Sequence, residues 1–132
     1  MRSRSPADSE RLNEIRKAAD LFRRRTKVLK GVVLRYQLDD LGFLDDYLEE
    51  LRERGAHRQV LFMMGAYFAE VLRRNIGGTY EFDEVRQELV LKCGGVKCFP
   101  ISKVLKAYGS QEEAPLQHYG FAFAREVARA SL

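Results

Sequence analysis

The side chains best suited to proton transfer in this chain are Glu70, His57, Tyr67 and His118. An enzyme built on them would use Glu70 and a histidine as its acid and base, because imidazole changes charge near neutral pH. Each histidine stands alone, one at the start of a helical stretch and one in the last such stretch, where a lone His ordinarily serves as a surface or satisfied core residue. No G-x-S-x-G, H-E-x-x-H, P-loop or dinucleotide fingerprint accompanies them. Arg74 follows Glu70 by four residues, the order that forms an exposed ion pair on a helix. The sequence therefore predicts a protein without catalytic activity.

Two cysteines, Cys93 and Cys98, have the spacing C-x-x-x-x-C, which is neither a redox C-x-x-C pair nor half of an ordinary zinc site. Both read as small core residues with reduced thiols. Two acid pairs, Asp39-Asp40 and Asp45-Asp46, lack the alternating oxygen ligands and sixth-position Gly of a calcium loop, so no metal or cofactor is expected. The same acidic stretch offers a different chemistry. Asp45, Asp46, Glu49 and Glu50 would steer and complement a basic protein partner.

The opposite charge lies upstream. Arg23, Arg24, Arg25, Lys27 and Lys30 are the densest positive cluster, and a phosphate-binding patch for nucleic acid is the alternative that they suggest. No aromatic residue is interleaved with them except Phe22, which belongs to a helical apolar stripe, so base stacking is not indicated. Residues 1–31 hold ten Lys or Arg against four acids, a surplus of +6, whereas residues 32–55 hold three against seven, or −4. Adjacent segments of opposite sign can neutralise one another in the fold, which weighs against nucleic acid and against a membrane surface.

These groups need a scaffold, and the chain has the means to build one. With 132 residues, 45% of them hydrophobic and 32% charged, it suits one soluble globular domain over residues 8–132 behind a disordered start at 1–7. No apolar run approaches the ~20 residues that span a bilayer, and the polar opening MRSRSPADSE predicts a cytoplasmic protein. Residues 58–78 form the central helix: Val60, Leu61, Met64, Phe68, Val71 and Leu72 repeat with helical period, and Asn75, Gly77 and Gly78 supply its stop. Gly65 and Ala69 open one face of it to close approach. Before it, Leu12, Ile15, Ala19 and Phe22 define a first amphipathic helix, and Leu41, Leu44, Leu48 and Leu51 a second that Asp39 or Asp40 would cap. Residues 32–34 would be a strand or an extended connection between these two.

After the central helix the period changes. Thr79, Tyr80, Glu81, Phe82 and Asp83 suggest a strand, and residues 88–99 a hairpin turning at Gly94-Gly95. That turn sets Cys93 opposite Val96, Lys92 opposite Lys97 and Leu91 opposite Cys98, leaving the two cysteines on a diagonal too long for a relaxed disulfide. A short helix stopped by Gly109 follows, then a last helix from Pro115 burying Leu116, Tyr119, Phe123 and Val127. The fold class is α+β: about five helices around a central hydrophobic helix, with a small antiparallel sheet of two or three strands.

The segments Gly65-Ala66-Tyr67-Phe68-Ala69-Glu70-Val71 and Asn75-Ile76-Gly77-Gly78-Thr79-Tyr80 are similar to a pattern found in a group of small uncharacterised bacterial α+β domains. The acidic helix LDDLGFLDDYLEELRERG resembles the one that precedes it there, so the resemblance spans residues 34–128, with Ala69 where the pattern has Gly. It implies an α+β fold and a bacterial origin, and it brings no activity. The chain is thus expected to be a non-catalytic protein-protein interaction module, an adaptor, regulator or immunity-type protein. Self-association through the exposed edge of the first helix remains open.

Overall fold

The computed structural model describes residues 6–110 and 113–132. These build α1 (Pro6–Lys30), α2 (Asp40–Arg54), α3 (Arg58–Asn75), β1 (Thr79–Asp83), β2 (Glu88–Cys93), β3 (Val96–Cys98), α4 (Pro100–Gly109) and α5 (Leu116–Ala130). The class is α+β, with the antiparallel strands in the order β1-β2-β3. The expected disordered start at 1–7 lies outside the described residues up to position 5, and α1 begins at Pro6, a residue suited to the first helical position.

Helix α3 is the core because its apolar residues run most of the way round it. Leu61, Met64, Tyr67, Phe68, Val71 and Leu72 are all buried. On one side α1 lays down Leu12, Ile15, Ala18, Ala19 and Phe22, with the Phe22 ring 5.5 Å from that of Tyr67 and 6.0 Å from that of Tyr47 on α2. On another side α4 comes so close that a Cβ on Gly65 would stand 3.0 Å from both Cα and Cγ1 of Ile101. The small residue anticipated for close approach is therefore where α4 docks. Leu41, Leu44, Leu48 and Leu51 of α2 and Leu116 and Phe123 of α5 complete the core.

The hairpin register follows its turn. Leu91 pairs with Cys98, Lys92 with Lys97 and Cys93 with Val96, and Gly94 and Gly95 take φ values of 56° and 85°, the left-handed pair that a two-residue turn demands. Both cysteines are free thiols. The strand at 79–83 pairs along its whole length with β2, from Thr79 opposite Lys92 to Asp83 opposite Glu88. Gly78 at φ 109° lies so near this ladder that a Cβ would meet the carbonyl oxygen of Lys92 at 2.6 Å.

Of the two readings open for residues 32–34, the extended connection holds: they join no strand, and Leu34 is drawn into the helical core instead of a ladder. Two local expectations are corrected. Asn75 does not cap α3 in a left-handed conformation. It is the last helical residue, and its Nδ2 donates to the carbonyl oxygens of Val71 at 2.7 Å and Tyr36 at 2.8 Å. Asp39 precedes α2 in a helical conformation and makes no side-chain cap, while Asp40 turns back to the incoming loop. The short helix α4 ends at Gly109 as expected, with Ser110 in the cap position.

Candidate functional site

The polar groups of the core meet where the end of α3 lies beside the loop at 35–37 and strand β1. Glu70 is completely buried, not the exposed partner that its spacing suggested. Its Oε2 accepts from Tyr80 Oη at 2.6 Å and from Arg73 Nε at 2.7 Å, and its Oε1 from Arg73 Nη2 at 3.2 Å and Arg74 Nε at 3.3 Å. A carboxylate has about four lone-pair directions, so these donors leave it no free acceptor site. Burial pushes the Glu70 carboxyl up, but the hydrogen bonds from Arg73 and Tyr80 and the charges of Arg73 and Arg74 outweigh it and hold the group below the ordinary glutamate range. Burial, together with this same carboxylate, pushes the Tyr80 hydroxyl far upward.

Next to it lies a second constellation. The Arg74 guanidinium stacks 3.7 Å above the ring of Tyr36, a residue held at φ 55°. The Tyr36 N–H donates to Tyr67 Oη at 2.8 Å, and Tyr67 Oη donates to Asp40 Oδ2 at 2.6 Å. That one carboxylate oxygen also accepts the N–H groups of Arg35 at 3.0 Å and Gln37 at 3.1 Å. Asp40 therefore fastens the loop that places Tyr36 over α3. Desolvation raises the Tyr36 phenol, with Asp20 and Glu70 adding to the rise and Arg74 and Arg23 opposing it.

The histidines do not join this network. His57 is exposed at the start of α3, where its Nδ1 accepts the N–H of Gln59 at 3.3 Å. Thirteen residues of helix separate it from Glu70, about 20 Å at the α-helical rise. His118 is exposed on α5. Of the four candidates for proton transfer, only Glu70 and Tyr67 reach the polar core, and each is held by neighbours there. Among the described residues no three His, Cys, Asp or Glu side chains gather as a metal would require.

The four acids expected to face a partner divide into two kinds. Asp45 turns inward and receives the N–H groups of Leu116 and Gln117. Glu50 pairs with Lys30 from α1 and with Arg54 at 2.9 Å. Asp46 and Glu49 are exposed. The basic cluster divides in the same way. Asp20 holds Arg23 at 2.9 Å and Arg24 at 2.9 Å, and Lys30 meets Glu50, while Arg25 and Lys27 are exposed and form no ion pair among the described residues.

Sequence reasoning missed Asp40, Tyr36, Arg73 and Tyr80. A signal existed only for Arg73, which stands three residues after Glu70 and so shares its helix face; the others meet through the tertiary fold. No family model matches the chain, and no curated protein or solved structure is significantly similar to it.

Proposed function

We propose that the protein is a non-catalytic protein-protein interaction module, an adaptor, regulator or immunity-type protein of a bacterial cytoplasm, that offers the outer face of α2 to a basic partner. The observation that carries this reading is a stripe of exposed acids. Asp39, Asp46, Glu49 and Glu53 are separated by seven, three and four residues, so they fall on one side of the helix, and none has an ion pair among the described residues. The apolar side of the same helix is buried against the core, which fixes the direction of the stripe. Concentrated unpaired charge on a rigid element speeds encounter with an opposite surface and discriminates among partners.

The test is a triple variant, Asp46→Ser with Glu49→Ser and Glu53→Ser, used with the wild type as bait in extracts of the native cell at low and moderate salt. Circular dichroism should show an unchanged fold, since all three residues are exposed. Loss of the basic proteins retained by the wild type supports the reading. Recovery of the same proteins at the same yield by both baits would sink it.

A further inference from the structure

On the side of the molecule where α1 meets the start of α3, Leu21, Arg25, His57, Gln59, Val60 and Met63 line an open cavity of about 380 Å³. Leu21 is 54% exposed, and Val28 and Leu29 continue the apolar surface along α1 at 82% and 59% exposure. Leu21 and Val28 stand seven residues apart, two turns along one face of α1, with Arg25 between them, so the exposed apolar groups share a side of the helix. A trough between two helices has the shape that receives a third.

The charge around the trough selects the occupant. Arg25, which lines the trough, and Arg58, which stands between its lining residues His57 and Gln59, are exposed and have no ion pair among the described residues. The first turn of α3 contains no acidic residue, so its positive end is not neutralised by a side chain of its own. Asp20, the residue before Leu21, is committed to Arg23 and Arg24. A second copy placing the same cations against these would be repelled, whereas a helix with acids beside an apolar stripe satisfies both features.

We propose that the groove between α1 and the N-terminal turns of α3 binds an acidic amphipathic helix of a partner protein, with Leu21, Val60 and Met63 receiving its apolar residues and Arg25 its carboxylates. The proposal rests on the interaction-module reading but uses a face other than the α2 stripe, so each can fail while the other stands.

The experiment is a selection of displayed random peptides about 16 residues long, ~24 Å if helical. They are panned on the full chain after depletion on the double variant Leu21→Glu with Arg25→Glu. Both positions are exposed, and thermal melts should show the variant folded; if it is not, Leu21→Ser and Arg25→Gln are used singly. The expected result is enrichment of sequences with apolar residues at i, i+3 or i+4 and i+7 flanked by Asp and Glu. In fluorescence polarisation their affinity should fall at least about tenfold on the variant, the size typical of losing an interface anchor or a close complementary charge, and should not change on the α2 triple variant. The proposal is overturned if no sequence depends on Leu21 or Arg25, or if the enriched sequences are basic. It is also overturned if light scattering shows a wild-type dimer that the double variant dissolves, which would make a second copy the occupant.

Discussion

Asp45 on α2 accepts the N–H of Leu116 at 2.6 Å, and its other oxygen accepts that of Gln117 at 3.0 Å, so the first turn of α5 is capped by a residue 71 positions upstream. The residue in the cap position itself, Pro115, makes no side-chain cap. Removing an N-cap costs about 1 kcal/mol. Asp45→Ala should lower the melting temperature by several degrees and speed amide exchange at Leu116 and Gln117, while α1 exchanges as before.

The two inward-facing carboxylates should respond to pH in opposite ways. Burial and Asp46 raise Asp45 more than its two backbone bonds lower it. Stability linked to a raised carboxyl is present below its unfolded pKa and lost as pH rises through the folded one. Wild type should therefore gain on Asp45→Asn as pH falls from neutral, measured by urea denaturation across that range.

For Glu70 the net shift is downward, so its contribution is present above the unfolded pKa and disappears as pH falls through the folded value. Glu70→Gln keeps an acceptor for Tyr80 but weakens charge-assisted bonds to Arg73 and Arg74, a loss of roughly 1–3 kcal/mol at neutral pH. The gap from wild type should narrow in acid. A gap that stayed constant from neutral to acid pH would refute the role assigned to the charge of Glu70.

Gly65→Ala tests the docking of α4. Alanine improves helix propensity by ~1 kcal/mol, but its methyl carbon would press at 3.0 Å on the backbone of Ile101. Overpacking against backbone costs about 1–3 kcal/mol. The variant should be less stable than wild type in thermal melts, in spite of the better helix former.

The thiols should be told apart by labelling. Cys98 is fully buried, and desolvation pushes it up to about 11, whereas Cys93 is half-buried at the strand end. The native protein should react with a disulfide reagent through Cys93 first and release the Cys98 thiol only on unfolding. A Cys93→Ser variant that still labels rapidly when native would contradict this.

What could be read in the sequence and what could not follow from the range of the interactions involved. The hairpin at Gly94-Gly95 and the buried stripe of α3 depend on neighbours within a few residues, and periodicity and turn chemistry report them directly. Asp45, by contrast, looked like any solvent-facing acid of an amphipathic helix, because its partner is a helix end 71 residues away. The burial of Glu70 is invisible locally for a similar reason. The i, i+4 spacing to Arg74 was correct, but Tyr80 and the wrapping of α3 on all sides decide that the pair is buried. The expected neutralisation of basic by acidic segments appears as the Lys30–Glu50 pair, while the exposed Arg25 and Lys27 show where it stops.

The small sheet also limits how another chain can be received. Its outer strands are β1, five residues long and carrying Glu81 and Asp83, and β3, three residues long with Lys97 exposed. Short, charged edges of this kind offer an incoming strand few backbone groups and unfavourable side chains. Recruitment by strand addition is thereby disfavoured, and so is edge-to-edge aggregation. In the proposed interaction module, recognition would fall to helix side chains, whose identity can change without disturbing a backbone ladder, so affinity for a partner would be retuned at positions such as Leu21 or Glu49 while the fold stays intact.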